Sequence, residues 1–263
     1  MRRQKNEWQE QAPAELRQII GESAWQEISI GCSAGSVFRT EHGYLKIAPL
    51  EASISLHAEK ERLLWLQGRL PVPQVYYFGS DAVYEYMLTS EIAGTMACDH
   101  TFKDAMPALI RLLAEGLRTV HAVATAQCPF DQRLDRRLAQ AESRVRNGLV
   151  DEARLSLRGT NIGASDLYAH LLQTRPSSED VVFTHGDFSL PNIIIDSEHA
   201  QIAGFIDLGY GGRADRYYDL ALACRSLAFN FDQSWIPVLL AAYGLDTVDY
   251  QKIAFYQLLD QLF

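Results

Sequence analysis

The segment 181–209 constrains the fold of this 263-residue chain more than any other segment. It places Asp187 just after an apolar, strand-like run, and Asn192 follows five residues later. Between Asn192 and Asp207, two isoleucine-containing runs flank the polar turn Asp-Ser-Glu-His, so residues 193–206 are predicted to form a β-hairpin. The hairpin returns Asp207 to the side of Asn192, where an amide oxygen and a carboxylate can share a hard cation.

The same spacing also indicates a chemistry. The pattern H-x-D-x-x-x-x-N followed by D-x-G is typical of phosphoryl transfer in protein kinases. In this interpretation Asp187 is the catalytic residue that receives the proton of an attacking hydroxyl, and Asn192 and Asp207 bind Mg²⁺. A lone His-x-Asp more often organises a turn, but three spaced polar residues that each leave an apolar strand favour the catalytic interpretation. His185 is expected to organise the loop.

A kinase-type site also needs a lysine on an N-terminal strand and a helical glutamate that orients it. Lys46 lies in a short β-like run and is flanked by apolar residues. Residues 54–68 have the composition of a helix and end at a glycine. Glu51, Glu59 and Glu61 are all candidates to pair with Lys46, and sequence spacing alone does not choose among them.

A turn of small residues at 31–37 precedes that lysine strand. Backbone N–H groups in such a turn can cover phosphates, although small residues also form ordinary hairpin turns. The chain contains neither a G-x-G-x-x-G nor a Walker A sequence, so the turn is a weak indication of nucleotide binding.

Several motifs taken together resemble those of the aminoglycoside 3'-phosphotransferases. They are His185–Asn192, Gly204–Gly209, Gly212–Asp219, Leu258–Phe263, Leu63–Gly68 and Leu70–Pro73. Because they are spread over nearly the whole chain, they are specific when taken jointly. The resemblance implies a two-lobed protein-kinase-like fold and the phosphorylation of the 3'-hydroxyl of an aminoglycoside antibiotic. It also implies ATP or GTP and Mg²⁺ as cofactors, and antibiotic resistance as the outcome.

The resemblance also implies a set of nucleotide-binding residues. They are Ser33, Tyr44, Lys46, Glu59, Ser90 and Ile92. In that set Glu59 becomes the partner of Lys46, and Tyr44 stacks on the purine. The link 90–92 pairs with the purine edge through its backbone, and Ser33 contacts phosphate. From the residues alone, Tyr44 is equally well explained by packing within a strand.

Acidic residues near the C-terminus are implied to bind the ammonium groups of the antibiotic. Asp260 and the carboxylate of Phe263 are present, but Gln261 stands where a second acid is expected. Asp151 and Glu152 are candidates to supply the missing negative charge. The predicted substrate residues are therefore Asp260, Phe263, Arg225, Asp151 and Glu152.

Other positions also depart from the family pattern. Tyr210 stands where these enzymes usually carry arginine, Ser226 follows Arg225 where an acid is common, and the stretch 155–158 lacks an acidic cluster. These departures keep two alternatives open. One is a kinase of another small hydroxylated amine or antibiotic, and the other is a catalytically silent, kinase-like protein that binds nucleotide.

The charge and apolar content of the chain limit its partners. Thirty-three acidic residues against 24 Lys and Arg give a net charge of −9, which argues against a nucleic-acid partner and is compatible with a polycationic substrate. No run of 18 apolar residues occurs and the first residues are polar, so a cytoplasmic protein without a membrane span is expected. The four scattered cysteines are expected to be reduced. The sequence does not define an oligomeric state.

The periodicity of apolar residues predicts an α+β chain with an N-terminal lobe at 1–92 and a C-terminal lobe at 93–263. The smaller lobe is expected to hold a short helix near its start and an antiparallel sheet that carries one helix. Its strands are predicted at about 28–40, 43–47, 73–78 and 83–89. The larger lobe is expected to be mainly helical, with the catalytic hairpin as its only clear β element. Its helices are predicted at 105–124, 133–149, 166–172, 218–229, 235–243 and 250–262.

Overall fold

A computed structural model of the protein describes residues 8, 11–21, 25–28, 35–50, 55–157 and 159–263. These residues form two compact units. The first unit comprises the described residues up to Ala93 together with Gly204–Gly209, and the second comprises Gly94–Ala203 and Tyr210–Phe263. The segment that carries Asp207 therefore groups with N-terminal residues, although it follows the catalytic loop in sequence.

The first unit is built around an antiparallel sheet. Its elements are α1 (Ala14–Ile20), β1 (Gln26–Ile28), β2 (Ser36–Thr40), β3 (Gly43–Pro49), α2 (Leu56–Leu66), β4 (Val75–Ser80) and β5 (Tyr84–Thr89). The strands lie in the order β1-β2-β3-β5-β4, and every neighbouring pair is antiparallel. This arrangement confirms the predicted small antiparallel sheet with its helix.

The central strand β3 shows how this sheet separates a core face from a second face. Leu45 and Ile47 are buried against Phe38 and Tyr86 in the hydrophobic core of the unit. Because successive side chains of a strand point to opposite faces, Tyr44 and Lys46 lie on the other face. Both are only partly buried, so the strand presents them away from the core.

The second unit is mainly helical. The remaining elements are β6 (Thr95–Met96), α3 (Met106–His121), α4 (Leu134–Arg146), β7 (Ser156–Leu157), β8 (Thr160–Asn161), α5 (Ala164–Gln173), β9 (Val181–Thr184), β10 (Ile193–Asp196), β11 (Gln201–Phe205), β12 (Gly212–Asp215), α6 (Arg216–Asn230), α7 (Ile236–Tyr243) and α8 (Tyr250–Asp260). Helix α6 is buried on nearly all sides, and β9, α7 and α8 pack around it. The predicted mainly helical character of this part of the chain is confirmed. Among the described residues, none of the helices has the length and apolar character needed to cross a membrane.

The β structure outside the small sheet is richer than predicted. Strands β10 and β11 form the predicted hairpin, and β6 pairs with β10 on the other side. Strand β9 pairs with β12, and β7 pairs with β8. The expectation that the hairpin is the only β element of this region is wrong. Strands of two to four residues are too short for an alternating pattern, and the Gly-Arg-Ala-Asp sequence of β12 lacks the β-branched and aromatic residues typical of strands.

Candidate active site

Asp187 and Asn192 are directly hydrogen-bonded in the loop between β9 and β10. The Nδ2 of Asn192 donates to Oδ2 of Asp187 at 2.9 Å and to its main-chain oxygen at 3.1 Å. A 3-10 turn at Leu190–Asn192 folds the loop back and makes this contact possible across five residues. Because the amide nitrogen faces Asp187, the amide oxygen of Asn192 points away from it, as a metal ligand must.

The backbone around Asp187 has a conformation that only glycine tolerates at the preceding position. Gly186 has φ +80°, and a Cβ atom there would collide with the main-chain oxygen of Tyr210. The N–H of Asp187 lies 3.3 Å from Nδ1 of the fully buried His185. This contact fits the expectation that His185 organises the loop.

A buried carboxylate of α6 fixes this loop through its main chain. Asp219 has no exposed surface, and its two oxygens accept from the N–H groups of His185 (2.7 Å) and Gly186 (2.9 Å). Nε2 of His121 lies 3.3 Å from the same carboxylate. Sequence reasoning assigned no role to Asp219, although an acid inside an otherwise apolar helix is a signal because buried acids are rare unless paired.

A second residue of α6 holds the loop further along. The hydroxyl of Ser226 accepts from the N–H of Leu190 at 2.9 Å, and both residues are buried. At position 226, where an acid is common in the family, the chain therefore carries a serine that supports the backbone of the loop. Two points of attachment, one before Asp187 and one after it, fix the direction of the Asp187 side chain.

In the first unit, Lys46 contacts two carboxylates. Its Nζ lies 2.6 Å from Oε1 of Glu59 and also contacts Oδ1 of Asp207. Burial lowers the pKa of Lys46, but the charges of Asp207 and Glu59 outweigh it and raise the pKa above its ordinary value, so the ammonium is retained. Of the other glutamates considered, Glu61 pairs with Lys60 at 2.9 Å, and Glu51 lies outside the described residues. The contact thus identifies Glu59 as the partner of Lys46, a choice that the sequence spacing left open.

Asp207 has an unusual backbone conformation. Its φ of +60° lies in the left-handed region, which is uncommon for a residue other than glycine and better tolerated by aspartate than by most. Such conformations cluster at functional sites, where the surrounding structure enforces them. The side chain is 45% exposed, so it remains accessible to a ligand despite its contact with Lys46.

The predicted magnesium ligands have suitable chemistry. No cluster of three or more His, Cys, Asp or Glu side chains in position to hold a metal occurs in the described parts of the chain. The predicted set instead has one amide oxygen, from Asn192, and one carboxylate, from Asp207. That set fits Mg²⁺, which usually takes one or two protein oxygens and completes its shell with phosphates and water. The two residues belong to different units, so their joint role stays a prediction.

The helix that carries Glu59 is anchored at its first turn by a residue that sequence reasoning missed. Glu85 of β5 is buried and accepts from the N–H of Leu56 at 2.7 Å and from the hydroxyl of Ser55 at 2.9 Å. Ser55 in turn caps α2 by accepting from the N–H of His57. A carboxylate at a helix N-terminus satisfies free N–H groups and interacts favourably with the helix dipole. Glu85 thereby fixes the helix that presents Glu59 to Lys46.

We expect Glu85→Ala to raise the KM for nucleotide more than it lowers kcat. Removing the carboxylate leaves the buried N–H of Leu56 without this acceptor, which costs about 1–3 kcal/mol and loosens the helix that orients Lys46. Steady-state kinetics and thermal unfolding check both effects. The control is Glu61→Ala on the exposed side of the same helix, which should leave both quantities nearly unchanged. Equal behaviour of the two variants would contradict the anchoring role.

Two of the predicted nucleotide-contact residues, Tyr44 and Ser90, lie near one end of the β3–β5 strand pair. The N–H of Ser90 donates to the main-chain oxygen of Gln74 at 2.8 Å, and Gln74 donates back to the Ser90 hydroxyl. The Ser90 N–H is thus committed, so the predicted contact with a purine edge would use the Ser90 carbonyl and the Ile92 N–H. Tyr44 lies on β3 opposite Thr89 of β5, and burial followed by the charge of Glu91 raises its pKa. Ser33 lies outside the described residues.

Of the predicted substrate residues, Asp260 and Arg225 form an ion pair. Nη2 of Arg225 lies 2.6 Å from Oδ2 of Asp260, and the hydroxyl of Tyr218 donates to Oδ1 at 3.0 Å. Burial lowers the pKa of Arg225, but attraction to Asp260 and, more weakly, to Asp187 raises it overall. The carboxylate is therefore already neutralised by a cation, which the sequence did not predict.

The other predicted substrate residues have different surroundings. Phe263 packs its ring over Arg137, whose guanidinium carbon lies 3.6 Å from the ring centroid. Asp151 caps a short 3-10 turn through the N–H of Ala153, and Glu152 accepts from the N–H of Ala164 at the start of α5. Both side chains are exposed, and both accept from backbone N–H groups, Asp151 within its own turn and Glu152 at the start of α5.

The chain is similar to known phosphotransferases in both sequence and structure. The model of the phosphotransferase enzyme family matches residues 24–256. An aminoglycoside 3'-phosphotransferase of Niallia circulans is 37% identical over 95% of this chain and 97% of that protein. The crystal structure of a type VIII aminoglycoside-3'-phosphotransferase has a TM-score of 0.81 and 31% identity, over 95% of this chain and 97% of that one. The aminoglycoside phosphotransferase APH(3'')-Id from Streptomyces rimosus, in complex with ADP and streptomycin, has a TM-score of 0.79 and 30% identity, over 94% of this chain and 95% of that one.

Together, the fold and the anchored aspartate loop define a phosphotransferase enzyme with a protein-kinase-like fold. The chain belongs to the phosphotransferase enzyme family and, within it, to the aminoglycoside 3'-phosphotransferases. The family and fold predicted from the sequence motifs are thereby confirmed. The roles assigned to individual site residues remain predictions, to which the contacts above give a geometric basis.

Proposed function

We propose that this protein transfers the γ-phosphoryl group of ATP to the 3'-hydroxyl of an aminoglycoside antibiotic. The observation that carries the proposal is the Asp187–Asn192 contact in a loop whose backbone is fixed by Asp219. Phosphoryl transfer demands positioning and charge neutralisation more than covalent chemistry, and a rigid loop supplies the positioning.

In the proposed reaction the oxygen of the acceptor hydroxyl forms a bond to the γ-phosphorus, and Asp187 receives the proton of that hydroxyl. The bond from that phosphorus to the β,γ-bridging oxygen breaks, and ADP leaves with the electron pair. Lys46, held by Glu59, binds the phosphates of the donor. Asn192 and Asp207 would hold Mg²⁺, which neutralises phosphate charge when bound.

Three observations support the choice of donor and acceptor. A relative of the same fold binds ADP and streptomycin, which favours ATP over GTP as the donor. Aminoglycoside 3'-phosphotransferases are among the relatives named above, which favours the 3'-hydroxyl as the acceptor, and the net charge of −9 suits a polycationic acceptor. Because ATP is the proposed donor, we propose that the reaction takes place in the cytoplasm.

A kinase of a different acceptor is the second candidate. Its support is the Arg225–Asp260 ion pair together with Gln261, because both reduce the negative charge that an aminoglycoside would meet. In that case the same catalytic loop would act on another small hydroxylated amine or antibiotic.

The test compares kanamycin B with tobramycin, which is its 3'-deoxy derivative, in ATP turnover by the purified protein with Mg²⁺. We expect kanamycin B to be phosphorylated and tobramycin to be inert, because only the first offers the 3'-hydroxyl. Turnover of both would reassign the hydroxyl, for example to the 3'' position. Turnover of neither, nor of any other aminoglycoside, by protein that still binds ATP would favour the second candidate.

A further inference from the structure

A chain of hydrogen bonds leads from the protein surface to the catalytic loop through the ends of four elements of the second unit, and we refer to it as the relay. Asp180 precedes β9, Arg216 begins α6, Tyr243 ends α7 and His121 ends α3. The innermost member is Asp219, the buried carboxylate that holds the catalytic loop. These five side chains therefore connect the surface to the loop without using the main chain.

The outer end of the relay is an ion pair that fixes the direction of one guanidinium group. Nε of Arg216 lies 2.6 Å from Oδ2 of Asp180, and Nη2 donates to Oδ1 at 3.1 Å. The main-chain N–H of Arg216 also donates to the main-chain oxygen of Asp180 at 3.0 Å. The remaining nitrogen, Nη1, donates to the hydroxyl of Tyr243 at 3.0 Å. Because a guanidinium has no acceptor, this last contact has only one possible direction.

Tyr243 passes that direction on to a histidine. Burial raises the pKa of the Tyr243 hydroxyl more than the charge of Arg216 lowers it, so the hydroxyl keeps its proton. Its oxygen accepts from Arg216, and its proton is therefore left for Nδ1 of His121, which lies 2.8 Å away. An imidazole that accepts at Nδ1 carries its own proton on Nε2. The tautomer of His121 is thus set by the hydroxyl next to it.

The Nε2 proton of His121 meets the carboxylate that holds the loop. Nε2 lies 3.3 Å from Oδ2 of Asp219, and only 4% of the His121 side chain is exposed. The same oxygen accepts from the N–H of His185 at 2.7 Å, and the other accepts from the N–H of Gly186 at 2.9 Å. A half-turn of the imidazole ring would put carbon atoms at both contacts, so Tyr243 would lose its acceptor and Asp219 one of its donors. Tyr243 and Asp219 therefore hold the ring from both sides.

We propose that Tyr243 is a positioning residue for the proposed phosphoryl transfer. Its hydroxyl keeps the Nε2 proton of His121 on the carboxylate of Asp219. Without that hydroxyl the ring is free to turn, Asp219 loses a donor that fixes its orientation, and the loop that it holds adopts additional conformations. The inference rests on the proposed function, which makes Asp187 the proton acceptor. The predicted nucleotide-contact residues belong to the first unit, so loss of the relay should lower kcat and spare the affinity for ATP.

The replacement Tyr243→Phe tests the role of the hydroxyl, because it removes one oxygen and keeps the ring. We expect kcat with kanamycin B to fall about threefold to tenfold, the factor that one hydrogen bond of ordinary strength provides, while the KM for ATP stays within about twofold. A merely structural role would lower the melting temperature and leave kcat of the folded protein unchanged. A kcat within about twofold of the parent would overturn the inference.

The matched control is Tyr217→Phe. Tyr217 is also buried in the second unit, and its hydroxyl accepts from the N–H of Asp249 at 3.0 Å. That contact serves the start of α8 and is not part of the relay. The variant should lower the melting temperature as Tyr243→Phe does and keep the kcat of the parent. An equal fall in kcat in both variants would mean that kcat follows stability, which would contradict the role of Tyr243.

Two replacements of His121 separate the contributions of its two nitrogens. Glutamine carries its amide NH₂ at about the distance of Nε2 and still donates to Asp219, whereas the amide of asparagine reaches only about as far as Nδ1. We expect His121→Gln to retain kcat within about threefold of the parent and His121→Asn to lose about tenfold or more. Equal values for the two variants, or the reverse order, would refute the relay.

The position of the proton is measured directly by ¹⁵N–¹H correlation spectra of the imidazole rings. The chain has seven histidines, and the signals of His121 are those that disappear in His121→Gln. We expect the parent to show the His121 proton on Nε2, and Tyr243→Phe to show a second state of this ring. A parent spectrum with the proton on Nδ1 would overturn the inference. This measurement needs no turnover, so its result is separate from the proposed function, against which turnover of no aminoglycoside by the parent would count.

Discussion

Replacing Asp187 by asparagine should lower kcat by about 10²–10⁴-fold and leave the fold intact. The amide has nearly the shape of the carboxylate, and its oxygen is still able to accept from Asn192, so the loop keeps its conformation. What disappears is the group that receives the proton of the acceptor hydroxyl. The measurement is steady-state turnover with kanamycin, together with the affinity for ATP in the presence of Mg²⁺, which should change less than threefold.

The matched control for that variant is Asp246→Asn. Asp246 is exposed and lies in the connection between α7 and α8. Its replacement by asparagine therefore removes the same charge as Asp187→Asn but none of the contacts that Asp187 makes. It should retain full activity. If Asp187→Asn kept kcat within threefold of the parent, the proton would have another acceptor, and the catalytic role derived from the H-x-D spacing would be wrong.

The local parts of the fold and site were readable in the sequence because they depend on neighbours in the chain. The five-residue step from Asp187 to Asn192 is closed by a 3-10 turn that contains a proline, and the hairpin after it follows from apolar runs around a polar turn. Lys46 was recognisable in the same way, as a charged residue within an apolar strand. Such signals need no knowledge of how distant segments meet.

The supports of the site were not readable because each joins segments far apart in sequence. Glu85 reaches the start of α2 across 29 residues, and Asp219 reaches the loop across 34. A buried acid in a helix or strand indicates that a partner is present, but the sequence does not identify that partner. The choice of Glu59 over other glutamates also depended on the tertiary structure, or on the family resemblance.

The acceptor side shows a further limit of sequence reasoning. The sequence identified Asp260 as an acid near the C-terminus, but its effect on a substrate depends on Arg225, which lies 35 residues earlier on a different helix. Arg137, whose guanidinium packs on Phe263, comes from α4, a helix with no recognised motif. The charge of a site is the sum over all its neighbours, so one acid found in the sequence does not give the sign of that charge.

Asp219→Asn should impair both stability and turnover, by a mechanism different from that of Asp187→Asn. The amide has one oxygen for two main-chain donors, so its NH₂ group faces either the His185 or the Gly186 N–H, and a buried donor remains without an acceptor. We expect a loss of about 1–3 kcal/mol in the free energy of unfolding. Because the affected donors immediately precede Asp187, we also expect kcat to fall at least tenfold at temperatures where the protein remains folded.

The control that separates loop support from general destabilisation is Asp215→Asn. Asp215 is equally buried and belongs to the same region, where it caps α6 and pairs with Lys252 at 2.7 Å and with the Tyr256 hydroxyl at 3.1 Å. Its loss should lower stability by a similar amount, since the largely buried Lys252 loses its partner. It touches no donor of the catalytic loop, so kcat of the folded fraction should change little. A fall in kcat that merely follows the loss of stability in both variants would mean that Asp219 supports the fold as a whole and has no specific role in aiming Asp187.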